Sequence, residues 1–180
     1  MMSKRVLPDP DPFPAIILAA WNTDNRVTTF LVENLPHELW PMPLPGTPRK
    51  TFRALAAHLH NARCMWVKTL GQAHGIVAPP KMDRKNVQRK QLVAALQRSG
   101  DAVGALLRFG CEHDGHIPPS RAYVWRNLPL DVAHVLAYLV AHEAHHRGQI
   151  VMAARQLGVP LSSAVSAGLW QWTMRSKGLP

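Results

Sequence analysis

Four apolar stripes at helical spacing, separated by loops that contain proline, limit the fold of this chain more than any other feature. In four segments, at about 14–35, 51–71, 89–110 and 131–157, apolar residues recur every three or four positions, as they do on the buried face of a helix. Prolines mark the loops between the segments, and strand signals are poor throughout. The pattern predicts an all-α fold, an antiparallel four-helix bundle.

The fourth segment carries signals for both of its ends. Asp131 is a suitable N-cap, because its carboxylate can accept a hydrogen bond from a free backbone N–H group of the first turn. Gly158 suits the C-terminal cap, and Pro160 follows two residues later. We therefore expect the fourth helix to end near residue 157 and the tail at 161–172 to form a short extra helix.

Length and composition limit the rest of the architecture. A chain of 180 residues is expected to form a single domain over residues 1–180. It has no run of 18 apolar residues, so no membrane span is expected, and its N-terminus lacks the apolar core of a secretory signal. The two cysteines, Cys64 and Cys111, are then expected to be reduced thiols of a cytoplasmic protein.

The chain is basic, with 21 lysines and arginines against 11 aspartates and glutamates. Such an excess raises nucleic acid or an anionic substrate as a partner. The positive charge is spread along the chain, however, and its densest segment, 81–90, lies just before a predicted helix. No zinc-finger, RNA-recognition or helix-turn-helix signature accompanies it, so we favour a solvated basic surface over a nucleic-acid footprint.

The fourth segment also contains the candidate metal-binding residues, in the sequence His142-Glu143-Ala144-His145-His146. Residues four apart on an α-helix lie about 40° apart around its axis, so His142 and His146 can reach one metal ion together. Both fall in the apolar stripe, where an imidazole without a partner costs desolvation energy. We prefer a shared metal ion to the alternative, which is two core histidines bonded to backbone or to Glu143.

A catalytic metal commonly takes three protein ligands and keeps a position for water. After His146 the chain has no His, Cys, Asp or Glu, so a third ligand must lie upstream. Many zinc proteases with a His-Glu-x-x-His motif take it from downstream, which argues against proteolysis. The upstream candidates are His37, His58, His60, His74, His113 and His116. In the second helix His58 lies on a flank of the stripe and His60 points further outward, which favours His58 without deciding between them.

Two segments together match a known pattern. Residues 51–63 read TFRALAAHLHNAR, and residues 142–149 read HEAHHRGQ. A histidine in the second helix, with a His-x-x-x-His pair and Arg-Gly-Gln in the fourth, is the pattern of the DinB/YfiT family of helical-bundle metalloproteins. The chain resembles this family over essentially its whole length.

The resemblance implies a divalent ion, usually zinc or nickel, held by three histidines. Carried over by position, these are His58, His142 and His146, with further coordination sites open to water or substrate. The resemblance also implies a homodimer and a relation to S-transferases and isomerases that use the low-molecular-weight thiols mycothiol, bacillithiol or glutathione. Some members are named for induction by DNA damage, which describes regulation and not a reaction.

These expectations favour a metal-dependent enzyme, transferase-like or hydrolase-like, that acts on a small molecule. Glu143 is the candidate catalytic residue, as a general base or as a group that orients a ligand; its alternative is a salt bridge with an arginine of the second helix such as Arg63. For Arg147 we expect an interhelical ion pair. The competing functions are a non-catalytic metal-binding stress-response protein and a basic nucleic-acid-binding bundle.

Overall fold

The computed structural model describes residues 12–124 and 126–178, which are predominantly helical. The four long helices are α1 (Phe13–Asn34), α2 (Phe52–Gly71), α3 (Arg89–Cys111) and α4 (Val132–Gln156). All four lie within one residue of the predicted segments. Asp131 caps α4 as predicted, since its side chain accepts a hydrogen bond from the backbone N–H of His134. Among the residues described, no helix combines the length and the apolar character needed to cross a lipid bilayer.

A small hairpin precedes α2, and the sequence analysis missed it. Strand β1 (Pro43–Leu44) pairs antiparallel with β2 (Thr47–Thr51), and Gly46 adopts a positive φ of 70° at the turn between them. Four of the five residues of β2 are exposed. The strand therefore lacks the alternation of apolar and polar residues that would indicate it in the sequence. The hairpin leads directly into α2, whose N-cap Thr51 accepts a hydrogen bond from the backbone N–H of Ala54.

The C-terminal tail contains two short helices where one was expected. These are α5 (Ser163–Gly168) and α6 (Trp172–Ser176). The chain turns between them at Leu169, Trp170 and Gln171, so the predicted single helix at 161–172 is wrong in its bounds. Both helices pack against α1.

Two apolar clusters fill the interior, and every long helix contributes to both. One cluster includes Leu31, Leu59, Leu96 and Ile150. The other includes Trp21, Trp66, Leu106 and Leu139. Along the chain, α2 and α3 pass from the first cluster to the second, whereas α1 and α4 pass from the second to the first.

A buried polar layer lies between the two clusters. On each contributing helix its members fall between residues of one cluster and residues of the other. They are Asp24, Asn25 and Thr28 of α1, Arg63 of α2, and Glu143 and Arg147 of α4. Charged groups at this depth must be paired, and the pairing determines how α4 faces its neighbours.

Helix α3 approaches α1 closely at Gly100. The indole N–H of Trp21 donates to the Gly100 carbonyl at 2.8 Å, and a Cβ at this position would lie 2.4 Å from Nδ2 of Asn25. Asn25 cannot move aside freely, because its Oδ1 accepts a hydrogen bond from Arg63 at 2.6 Å. We expect Gly100→Ala to lower the free energy of unfolding by about 1–3 kcal/mol in urea denaturation.

Gly104 provides the matched control for Gly100. It lies one turn further along the same helix, and a Cβ there would meet no atom closer than Cδ1 of Trp21 at 3.8 Å. Since alanine is the better helix former, Gly104→Ala should raise the free energy of unfolding by about 0.5–1 kcal/mol. Equal effects of the two substitutions would contradict this description of the packing.

Candidate metal centre

Three histidines from two helices converge on one point. His58 of α2 and His142 and His146 of α4 each offer a ring nitrogen, and these nitrogens lie within 4.8 Å of one another. The ring centroids are 4.6 Å apart for His142 and His146, 4.7 Å for His58 and His146, and 5.4 Å for His58 and His142. The structure thus brings together the three residues that the sequence resemblance implied as ligands.

The geometry of the cluster fits a divalent ion. Nε2 of His142 and Nε2 of His146 lie 3.2 Å apart, close to the separation of about 3.3 Å between two tetrahedral ligands with zinc–nitrogen bonds of about 2.0–2.1 Å. Nδ1 of His146 donates to Oε1 of Gln149 at 2.8 Å, so the lone pair of Nε2 is left for a ligand bond. Imidazole nitrogens suit zinc and nickel among the common metals.

The three imidazoles are poised in the neutral form that binds metal. Burial lowers the pKa of each of them. For His58 the pKa falls to about 4, first because of burial and then because of repulsion from His146 and His142 when these are protonated. Since only an unprotonated imidazole can coordinate an ion, the cluster is ready to bind metal at neutral pH.

The histidines lie on the flank of the buried face of α4, which corrects the expectation that they lie in its middle. The middle is occupied by Glu143 and Arg147, which are 1% and 8% exposed, while His142 and His146 are half-buried. Charged residues can take the central positions because they are paired across the polar layer. His145 lies outside the buried face and is exposed.

Glu143 forms the salt bridge that was its alternative assignment. Its carboxylate accepts two hydrogen bonds from the guanidinium of Arg63, at 2.5 and 2.7 Å, and one from the hydroxyl of Thr28. Burial alone would raise the pKa of Glu143, but the charge and hydrogen bonds of Arg63 hold it below its ordinary value. With both oxygens engaged in the interior, the geometry favours a positioning role over that of a general base.

Arg147 forms the interhelical ion pair expected of it. Its guanidinium donates to Oδ1 of Asp24 at 2.7 Å and to the hydroxyl of Thr28 at 2.7 Å. Burial and the charge of Glu143 together raise the pKa of Asp24 to about 6, although Arg147 opposes that rise. Because these pairs fix the rotation of α4, they also fix the direction in which His142 and His146 point.

His60 is buried, which overturns the expectation that it points outward. It is 0% exposed, and its ring nitrogens lie 3.0 Å from the hydroxyl of Ser99 and 3.0 Å from the carbonyl of Pro80. Helix α3 covers this side of α2 and satisfies the imidazole there. Among the residues described, none of the other upstream histidines joins the three-histidine cluster.

A cavity of about 1160 Å³ opens beside the cluster. His58 and His146 form part of its wall, together with the exposed His145. The hairpin, α2, the segment before α3, and α4 all contribute to the lining. A ligand of moderate size could therefore reach the histidines directly from solvent.

Gln149 supports the cluster from the next turn of α4. It accepts from Nδ1 of His146 at 2.8 Å, and its amide nitrogen lies 3.0 Å from Nε2 of His145. Because this contact fixes the tautomer and orientation of His146, we expect Gln149→Ala to weaken zinc binding by about 10–100-fold. Competition with a chromophoric chelator measures the zinc affinity. Gln156→Ala is the control, because Gln156 lines the same cavity. Equal zinc affinities of the two variants would contradict the proposal that Gln149 orients His146.

Comparison with known proteins agrees with the geometry. The family model described as the DinB family matches residues 2–171, which include all three histidines and every residue of the polar layer. A comparison with curated proteins found no match. The chain belongs to the DinB family.

Proposed function

We propose that this protein is a metal-dependent enzyme, transferase-like or hydrolase-like, that acts on a small molecule. The observation that carries the proposal is that the three-histidine cluster opens, through His58 and His146, onto a solvent-accessible cavity. A purely structural metal site is closed by four protein ligands, whereas this cluster has three. We propose zinc or nickel as the ion.

The residues divide into distinct tasks in this proposal. His58, His142 and His146 hold the ion, and Gln149 orients His146. A divalent ion held there supplies a Lewis acid, which can polarise a carbonyl group or favour the anionic form of water or of a low-molecular-weight thiol. Glu143 acts indirectly, because its bond to Arg63 positions α4. His145, exposed in the cavity wall, is placed to exchange a proton with a substrate.

Turnover assays on untagged, metal-reconstituted protein test the enzymatic proposal. One panel combines glutathione, mycothiol or bacillithiol with electrophilic acceptors, and a second contains activated esters and amides. We expect turnover in at least one panel that is lost in metal-free protein and in His142→Ala. A metal-loaded protein without turnover in either panel would instead support the competing role of a non-catalytic metal-binding protein.

We propose further that the protein is a homodimer. Trp170 is 84% exposed, and Met152 and Trp172 are 55% and 39% exposed; all three surround a second, mainly apolar cavity of about 330 Å³. Exposed apolar groups that cluster in this way are typical of association surfaces. Sedimentation equilibrium should give twice the chain mass, and a monomer at micromolar concentration would contradict the proposal.

Two expectations about architecture and location also remain proposals. We propose that α1–α4 form one antiparallel four-helix bundle, with two helices in each sense, and that the chain is a single domain. We propose a cytoplasmic location, which is compatible with a content of two cysteines, Cys64 and Cys111. Fractionation of the native cell and limited proteolysis of the purified chain would test these points.

A further inference from the structure

The cavity beside the histidine cluster has a strongly positive wall. Strand β2 contributes Arg49 and Lys50, and the segment before α3 contributes Arg84 and Lys85. All four side chains are exposed. Among the residues that line the cavity, Asp83 is the one acidic residue beside these four basic residues. The cavity therefore carries an excess of positive charge.

The single carboxylate does not neutralise this wall. Oδ1 of Asp83 accepts a hydrogen bond from the backbone N–H of Lys85 at 2.9 Å, and Oδ2 accepts one from Asn86 at 2.8 Å. Asp83 thus serves to shape its own turn. Within residues 12–124 and 126–178, none of the four basic side chains forms an ion pair with a carboxylate.

The positive wall and the histidines line one cavity. His58 and His146 belong to the same lining as the four basic side chains, and the exposed His145 lines it as well. An anionic group bound between the hairpin and the segment before α3 would therefore leave the rest of the same molecule within reach of the cluster.

We propose that the cavity binds a small molecule through an anionic group, a carboxylate or a phosphate, which is held by the wall formed by Arg49, Lys50, Arg84 and Lys85. The inference rests on the proposed function, since it names the substrate class of that site. Arginine guanidinium groups bind carboxylate and phosphate in a two-pronged geometry. The concave shape has room for a small ligand, because its volume of about 1160 Å³ is slightly above the roughly 300–1,000 Å³ that is usual for such pockets.

Calorimetric titration of the full-length, zinc-reconstituted chain tests the proposal at an ionic strength of about 50 mM, where screening is moderate. The probes are inorganic phosphate, succinate and the neutral dimethyl succinate. One variant replaces the four basic wall residues by glutamine. A matched variant replaces four basic residues outside the cavity lining by glutamine and so changes the net charge equally. These four residues are exposed on α2 and α3: Lys68, Lys90, Arg98 and Arg108. Zinc content is measured for each protein.

We expect phosphate or succinate to bind wild type, dimethyl succinate not to bind, and the wall variant to lose at least about tenfold in affinity, as removal of charge-assisted hydrogen bonds would cause. The matched variant should stay within about threefold of wild type. The stronger of the two anions identifies which group the wall prefers. Equal losses in the two variants, or no anion binding in wild type, would overturn the proposal.

Two further arms separate this inference from the proposed function. Metal-free His142→Ala should keep its affinity for phosphate if the wall holds the anion, and loss of binding there would show that phosphate binds to the ion instead. A wild type that holds no zinc but binds phosphate through the wall would refute the proposed function alone. Tighter binding of a single-stranded oligonucleotide, weakened equally in both variants, would point to a diffuse basic surface and overturn the small-molecule assignment.

Discussion

Glu143→Ala is expected to lower the free energy of unfolding by about 3–5 kcal/mol, the cost of leaving a buried charge without its partner. Arg63 is 1% exposed, and two of its three guanidinium nitrogens donate to the Glu143 carboxylate. Without that carboxylate, the positive charge of Arg63 would keep the Asn25 side chain, the Leu96 carbonyl and the face of the Trp21 ring, none of which carries a negative charge. Urea denaturation monitored by circular dichroism measures the change.

Two controls test whether the loss of stability comes from the unpaired charge of Arg63. Glu33→Ala removes an exposed glutamate from α1 and should change the free energy of unfolding by less than about 0.5 kcal/mol. Arg63→Met combined with Glu143→Leu removes both charges at once and should recover most of the stability lost in the single variant, because no unpaired charge remains. A Glu143→Ala protein as stable as wild type would show that the salt bridge does not hold α4 in place.

His142→Ala is expected to weaken zinc binding by about 60- to 700-fold. Structural zinc sites with four ligands bind with roughly 10–16 kcal/mol, so each ligand accounts for about 2.5–4 kcal/mol, and every 1.4 kcal/mol is tenfold in affinity. The two remaining histidines, His58 and His146, come from different helices and would still capture the ion weakly. Competition with a chromophoric chelator at neutral pH measures the affinity.

His145→Ala is the matched control for the metal site. This histidine lies in the same helix and lines the same cavity, but it stands outside the three-histidine cluster. The zinc affinity of this variant should stay within about threefold of wild type. The substitution removes an edge contact with the His146 ring and a hydrogen bond to the Gln149 amide nitrogen, but it leaves the hydrogen bond between Gln149 and His146. A loss as large as that of His142→Ala would show that the ion is held differently.

The sequence was sufficient for the long helices and for the ligand set implied by the resemblance. Apolar periodicity gave all four helices to within one residue, because stripes of this length have one stable arrangement in water. The i,i+4 spacing of His142 and His146 placed them together by helix geometry alone. His58 could be chosen over His60 only with the help of the family pattern, since the two differ by a small rotation about the same helix.

Features that depend on contacts between helices could not be predicted from the sequence. The apolar stripe placed the histidines at the centre of the buried face, but Glu143 and Arg147 occupy it because Arg63 and Asp24 on other helices pair with them. His60 is buried because Ser99 of α3 satisfies it. The sequence of α2 or α4 alone does not indicate which side chains of another helix will contact it.

The most direct test of the account is the metal content of untagged, full-length protein, measured by mass spectrometry for wild type and for His58→Ala. His58 is the only ligand from α2, so it reports on the assembly of the site between two helices. The account predicts about one zinc or nickel ion per wild-type chain and a large loss in the variant. Absence of metal from wild type, even after reconstitution with zinc and with nickel, would contradict it.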